Sequence, residues 1–146
     1  MTKRRIPIKL QRLVRRRALG YCEYCICPEF CATQKHSFDH IEPESQGGPT
    51  AAENLALTCQ GCNNAKYNKT HATDPLTRRT VALFHPRLDD WDEHFAWSPD
   101  RQYLIGLTAV GRATIRELDL NRDGVIQLRR LLLLNREHPP PHRSSS

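Results

Sequence analysis

Two cysteine pairs with the same spacing stand well apart in the chain, Cys22-x-x-Cys25 and Cys59-x-x-Cys62. Each pair puts two thiolates on one tight turn, and two such turns complete a tetrahedral zinc site. Between them runs "FDHIEPESQGG" at 38–48, where Asp39 and His40 are neighbours, Pro43 follows and Gly47-Gly48 closes the stretch. An imidazole titrates close to neutral pH and can strip a proton from water. A carboxylate is a hard oxygen ligand suited to Mg²⁺ or Mn²⁺. Adjacent side chains on a strand point to opposite sides, so Asp39 can face a cation while His40 faces a water. Phosphodiester hydrolysis needs these parts: a base for the water, and positive charge on the phosphate and the leaving oxygen.

A structural zinc of this kind contributes on the order of 10 kcal/mol to folding, enough to order a small core. The bland alternative is a set of reduced, buried thiols. Cys27 and Cys31 leave a second grouping open, in which Cys22, Cys25, Cys27 and Cys31 form a local set and Cys59 and Cys62 lack partners. The matched spacing favours the two-pair site, with Cys27 and Cys31 as free thiols or packing residues. Lys66, one helical turn beyond Cys62 and Asn63, either reaches a phosphate or rides a solvated helix face. His36 reads as a surface histidine.

Taken in order, "CEYC…FDHIEPESQGG…AENLALTCQGCNNAK" resembles the HNH endonuclease family of the ββα-metal (His-Me finger) fold, in particular its bacterial branch with four zinc-binding Cys. The likeness spans 22–66. Residues 67–121, with "LFHPR", "EHFAW" and "IGLTAVGRAT", are similar to the extension of cyanobacterial-type members. The resemblance implies His40 as general base, with Asp39 and Asn63 as ligands of the catalytic cation. It implies Asn54 as a catalytic-site amide that braces the loop between the strands and orients His40; an ordinary turn Asn is the alternative. The third motif position, often His in the family, is Asn63 here. An amide oxygen is harder than an imidazole and shifts preference towards Mg²⁺ or Mn²⁺ over Zn²⁺ or Ni²⁺.

The elements that must carry these groups are short. Apolar residues Ile8, Leu10, Leu13, Val14 and Ala18 fall mostly on one helical face, and Gly20 suits a C-cap. Short strands are expected at 36–41 and 55–58, a loop at 47–54 and a helix over 60–68. Beyond residue 70 the composition changes. The stretch 83–97 reads as loop then strand, 102–108 as strand, 109–119 as a helix capped by Thr108, and 124–134 as a second helix. The expected fold class is α+β: a ββα-metal core stapled by a four-cysteine zinc site, with an N-terminal helix and a C-terminal strand-plus-helix extension. The expected organisation is 1–80 for the basic helix and nuclease core, 81–135 for the extension, and 136–146 for a disordered Pro- and Ser-rich tail. "DLNRDGVIQLRR" at 119–130 imitates a calcium loop, but Arg130 stands where a bidentate Glu belongs, so it reads as a joint between helices. Trp91, His94 and Trp97 read as packing residues.

At 146 residues the chain holds one compact domain, or a small one with an extension. It has no apolar run long enough to span a membrane, and its basic start lacks the apolar segment of a signal peptide. A cytoplasmic, prokaryotic setting is expected. Net charge is +6, concentrated in Lys3, Arg4, Arg5, Lys9, Arg12, Arg15, Arg16 and Arg17. Such charge suits a polyanion, with duplex DNA the expected partner and Arg15, Arg16, Arg17 and Lys66 the expected phosphate contacts. Three functions compete: a metal-dependent DNA endonuclease, a zinc-stapled nucleic-acid-binding protein that does not cut, and an interaction protein with a dead site. Simple binding needs none of Asp39, His40, Asn54 and Asn63, which favours the first.

Overall fold

A computed structural model describes residues 5–141; Lys3 and Arg4 of the basic arm, and 142–146 of the tail, lie outside the described residues. The chain divides into two compact units. One takes the residues up to Thr70 together with His85–Arg87, and the other takes His71–Phe84 and the chain from Leu88 onward.

In the first unit, helix α1 (Ile8–Ala18) leads into a hairpin of β1 (Ser37–His40) and β2 (Leu55–Thr58), and helix α2 (Gln60–Lys66) follows. Leu10, Val14 and Ala18 recur at four-residue spacing and so form one stripe on α1. Val14 and Ala18 are buried with Leu55 and Leu57, and Ile6, Leu10 and Phe38 pack around them. Each side chain of Val or Leu size contributes roughly 1.5–3 kcal/mol when fully buried. The helix ends on Leu19, which itself takes the left-handed conformation (φ 54°); Gly20 follows at φ 78° and donates its N–H to Arg15 O at 3.1 Å. The strands are antiparallel, with Asp39 opposite Ala56 and His40 opposite Leu55. Helix α2 starts on a thiol: Cys59 Sγ accepts from the Cys62 N–H at 3.5 Å. Hairpin and helix thus follow one another with a single residue between them, which ties the second cysteine pair to the end of β2.

The second unit holds the hairpin β3 (His71–Thr73) with β4 (Thr80–Ala82), the single turn α3 (Trp91–His94), the hairpin β5 (Phe95–Trp97) with β6 (Leu104–Gly106), and helices α4 (Ala109–Leu118) and α5 (Asp123–Leu134). Thr108 Oγ1 accepts from Gly111 N–H at 3.1 Å and caps α4 as its sequence position predicts. A β-carbon on Gly111 would lie 2.1 Å from the His94 carbonyl oxygen, so only Gly lets α4 approach this closely. His94 is a packing residue: Nδ1 lies 2.6 Å from Thr108 Oγ1, and the ring stands edge-on to Phe84.

Two elements depart from the sequence reading. The hairpin at 71–82 sits where no strand is expected, and 91–94 is a helical turn rather than loop. Both are set by single aspartates rather than by apolar period. Asp74 accepts from Leu76 N–H, Thr77 N–H and Thr77 Oγ1–H inside the β3–β4 loop, and takes a bidentate pair from Arg112 at 2.9 and 3.0 Å. Asp90 caps α3 through Asp92 N–H.

The calcium-loop look-alike is a helix joint. Asp119 closes α4 in the left-handed conformation, and Asn121 bridges to Leu104 N–H and O. Buried Arg129 donates to Asn121 Oδ1, Gln102 O and Leu120 O. The order continues past α5 into 136–141: buried His138 packs edge-on against Trp97 and bonds Arg101 O at 2.9 Å. Burial lowers His138 to about 4, so it stays neutral there. Among the described residues no helix is long and apolar enough to cross a membrane.

Candidate active site and metal cluster

The sulfurs of Cys22, Cys25, Cys59 and Cys62 all lie within 4.8 Å of one another, with Cys25 and Cys59 at 3.6 Å. Four thiolates around one zinc, at about 2.3 Å each, stand about 3.8 Å apart, so this donor set fits the ion. Burial pushes the Cys22 thiol up, while hydrogen bonds from Cys22, Cys25 and Cys62 hold Cys59 far below the usual thiol range. A divalent cation at the centre lets all four ionise together. Cys27 and Cys31 are not among these four mutually close sulfurs, which argues against the purely local grouping.

The first cysteine pair is fastened to β2. Glu23 N–H donates to Leu57 O at 2.8 Å, and Glu23 Oε2 accepts from Leu57 N–H at 2.9 Å. The other Glu23 oxygen pairs with Arg87. His36 belongs to the same scaffold. It is buried, not at the surface as its sequence context suggests: its N–H donates to Glu29 Oε2, and Nε2 lies 2.9 Å from Cys27 O.

An open cleft of about 630 Å³ lies beside the hairpin and α2, and Asp39, His40, Pro43, Glu44, Asn63 and Tyr67 line it. Asp39 is 5% and His40 8% exposed, so each shows only a small area to the cleft. Both partners of Asp39 meet the same oxygen: Lys66 Nζ stands 3.0 Å from Oδ2, and Tyr24 donates its hydroxyl to Oδ2 at 3.5 Å. Among the described residues Oδ1 accepts no hydrogen bond, and it is not a buried orphan. It is the oxygen left for a ligand. Burial raises the Asp39 carboxyl above its ordinary range, against the opposing pull of Lys66. His40 Nε2 lies 2.9 Å from Thr50 Oγ1 and 3.1 Å from Glu44 Oε1. A carboxylate only accepts, so the hydrogen between His40 and Glu44 sits on Nε2.

With this geometry, residues 22–69 match the model of the HNH endonuclease family. They make up an HNH-like domain. No match was found among curated proteins or solved structures. Within the HNH domain, Asp39, His40 and Asn63 come together at the cleft, whereas Asn54 does not line it. Asn54 is buried behind the loop: Oδ1 accepts from Glu42 N–H, and Nδ2 donates to Glu42 O and Pro49 O. Three bonds from one side chain close the loop that carries Glu44 and Thr50, the partners of His40. Gly48 belongs to this closure, since a β-carbon there would meet Glu42 O at 1.8 Å.

Lys66 of the HNH domain is a correction. It is 1% exposed, with Nζ held by Asp39 Oδ2, Ile41 O at 3.0 Å and His40 O at 3.4 Å, and so lies beneath the site rather than on a phosphate-facing surface. Lys66→Met strands a buried carboxylate and should lower stability by about 3–5 kcal/mol. A lower urea midpoint at unchanged m measures it. Retained stability with a smaller salt slope of DNA binding would restore the phosphate role.

Of the arginines expected at DNA, two have internal work. Arg15 forms a bidentate pair with Glu29 at 3.0 and 3.1 Å and lies over the Phe38 ring; Arg17 donates to Ala52 O and Leu55 O. Arg16 is exposed, as are Arg5, Lys9 and Arg12.

Sequence reasoning missed Glu44, Thr50, Tyr24 and Glu23 as supports. Glu44 had a readable signal in its i+4 spacing from His40. Tyr67, just after α2, takes φ 50° and ψ −112°. That conformation costs a non-glycine residue on the order of 1–3 kcal/mol.

Proposed function

We propose that the chain is a divalent-metal-dependent endonuclease that hydrolyses DNA phosphodiester bonds. The convergence of Asp39, His40 and Asn63 on one cleft carries this reading. Asp39 Oδ1 and the Asn63 amide oxygen would hold Mg²⁺ or Mn²⁺, whose charge, when the ion is bound, offsets that growing on the phosphate and leaving oxygen. His40 takes the proton of the attacking water at Nδ1. Thr50 and Glu44 fix its ring, and the loop closed by Asn54 and Gly48 holds both of them in place. Lys66 and Tyr24 anchor Asp39 through Oδ2, which leaves Oδ1 turned to the ligand.

The four-cysteine cluster holds structural zinc and keeps hairpin and helix in register. Arg5, Lys9, Arg12 and Arg16 supply a cationic face that draws in the phosphate backbone. The second unit, similar to the extension of cyanobacterial-type members, is an accessory body. A cytoplasmic setting suits Cys27 and Cys31, which form no disulfide.

Supercoiled plasmid incubated with the purified chain in Mg²⁺ or Mn²⁺ should convert to nicked or linear product, and EDTA should stop it. A chain that retards plasmid on a gel yet leaves it intact across Mg²⁺, Mn²⁺, Ni²⁺ and Zn²⁺ is a binding protein instead.

A further inference from the structure

Tyr67 sits where glycine is expected. Lys69 N–H donates to Lys66 O at 2.9 Å, closing a tight turn whose first central residue is Tyr67. Its φ of 50° and ψ of −112° match the first central position of a type II′ turn, which glycine dominates. The side chain occupying this strained position is large, aromatic and 76% exposed. Ile8, Leu19 and Phe30 are also exposed on the same unit, but Tyr67 alone among these four lines the cleft of Asp39, His40 and Asn63. Among the described residues its ring has no aromatic or cationic neighbour, and its hydroxyl has no hydrogen-bond partner. The turn is fastened across the cleft, because Gln46 Nε2 donates to Asn68 O at 3.3 Å. Exposed Asn64 and Asn68 flank the ring with amides able to meet a base edge.

An exposed ring held beside a cleft that takes phosphodiesters is a platform for a nucleobase. In an intact duplex both faces of each base are covered by neighbours, so a stack on Tyr67 needs a base already released from them. We infer that Tyr67 stacks on an unpaired base next to the scissile phosphate. The cleft therefore prefers single-stranded, gapped or flapped DNA to the intact duplex that charge alone suggests. This rests on the endonuclease reading for the identity of the substrate.

The test measures binding in EDTA, where no cutting occurs, with a fluorescent single-stranded oligonucleotide and its matched duplex. The parent chain should bind the single strand more tightly. Tyr67→Phe and Tyr67→Trp should keep that affinity. Tyr67→Gly should weaken single-strand binding about 5- to 150-fold, the range of one lost base stack, with duplex binding changed less than about twofold. The salt slope should stay the same, since no charge is removed. Tyr67→Gly should also raise the melting temperature by relieving the turn, which separates a lost contact from a damaged fold. Equal loss on both DNAs, or no loss on the single strand, overturns the inference. A parent chain that binds single strands through Tyr67 but never cuts them upholds the platform and rejects the endonuclease reading.

Discussion

His40→Ala should cleave plasmid roughly 10²–10⁴-fold more slowly than the parent chain while binding DNA as before. The size follows from losing the proposed general base. Unchanged binding follows because His40 is 8% exposed and touches little that DNA could contact. The ring also holds Thr50 and Glu44, so the variant's melting temperature belongs beside the rate. His40→Gln, whose side-chain amide can still bond Glu44 but takes up no proton, should fold like the parent chain and be as slow as the alanine variant. Cutting that survives in both would move the base elsewhere.

Cys22→Ala, or Cys59→Ala, should remove bound zinc and the fold of the HNH domain together. Each takes one ligand from a buried four-sulfur set, and a zinc site of this kind supplies on the order of 10 kcal/mol. That exceeds what a domain this small holds in reserve. Zinc content by atomic emission should fall from about one per chain to near zero, and far-ultraviolet circular dichroism should lose its cooperative transition. Cys27→Ala and Cys31→Ala should retain both zinc and transition, because those residues stand outside the cluster. Zinc lost on changing Cys27 but kept on changing Cys59 would reverse the ligand assignment.

The parts of the structure readable from sequence are those with a period or a paired motif. The i, i+4 stripe of Leu10, Val14 and Ala18 defines α1, and the apolar run "LALT" marks β2 at 55–58. Matched Cys spacing points to the cluster, and the resemblance to the HNH family points to Asp39, His40 and Asn63, which line one cleft. The burial of Lys66 was not legible. A lysine is nearly always outside unless paired, and its partner Asp39 lies on another element, so only the packed chain shows that the two meet. Asn54 was legible as a brace but not as one set back from the cleft, since three bonds to loop backbone depend on how residues 42–49 fold. The hairpin of β3 and β4 escaped because three-residue strands carry too few positions for an alternation to show; the turn chemistry of Asp74 fixes them instead.

Glu23 carries a consequence for anyone who wants to move this HNH-like segment into another protein. Its counter-ion, Arg87, is supplied from well past the stretch that the family signature covers. A graft trimmed at Lys69 would bring along a carboxylate sealed from water and no cation to neutralise it. The natural cut therefore lies downstream of "HPR" at 85–87, and the transplantable piece is longer than its motif.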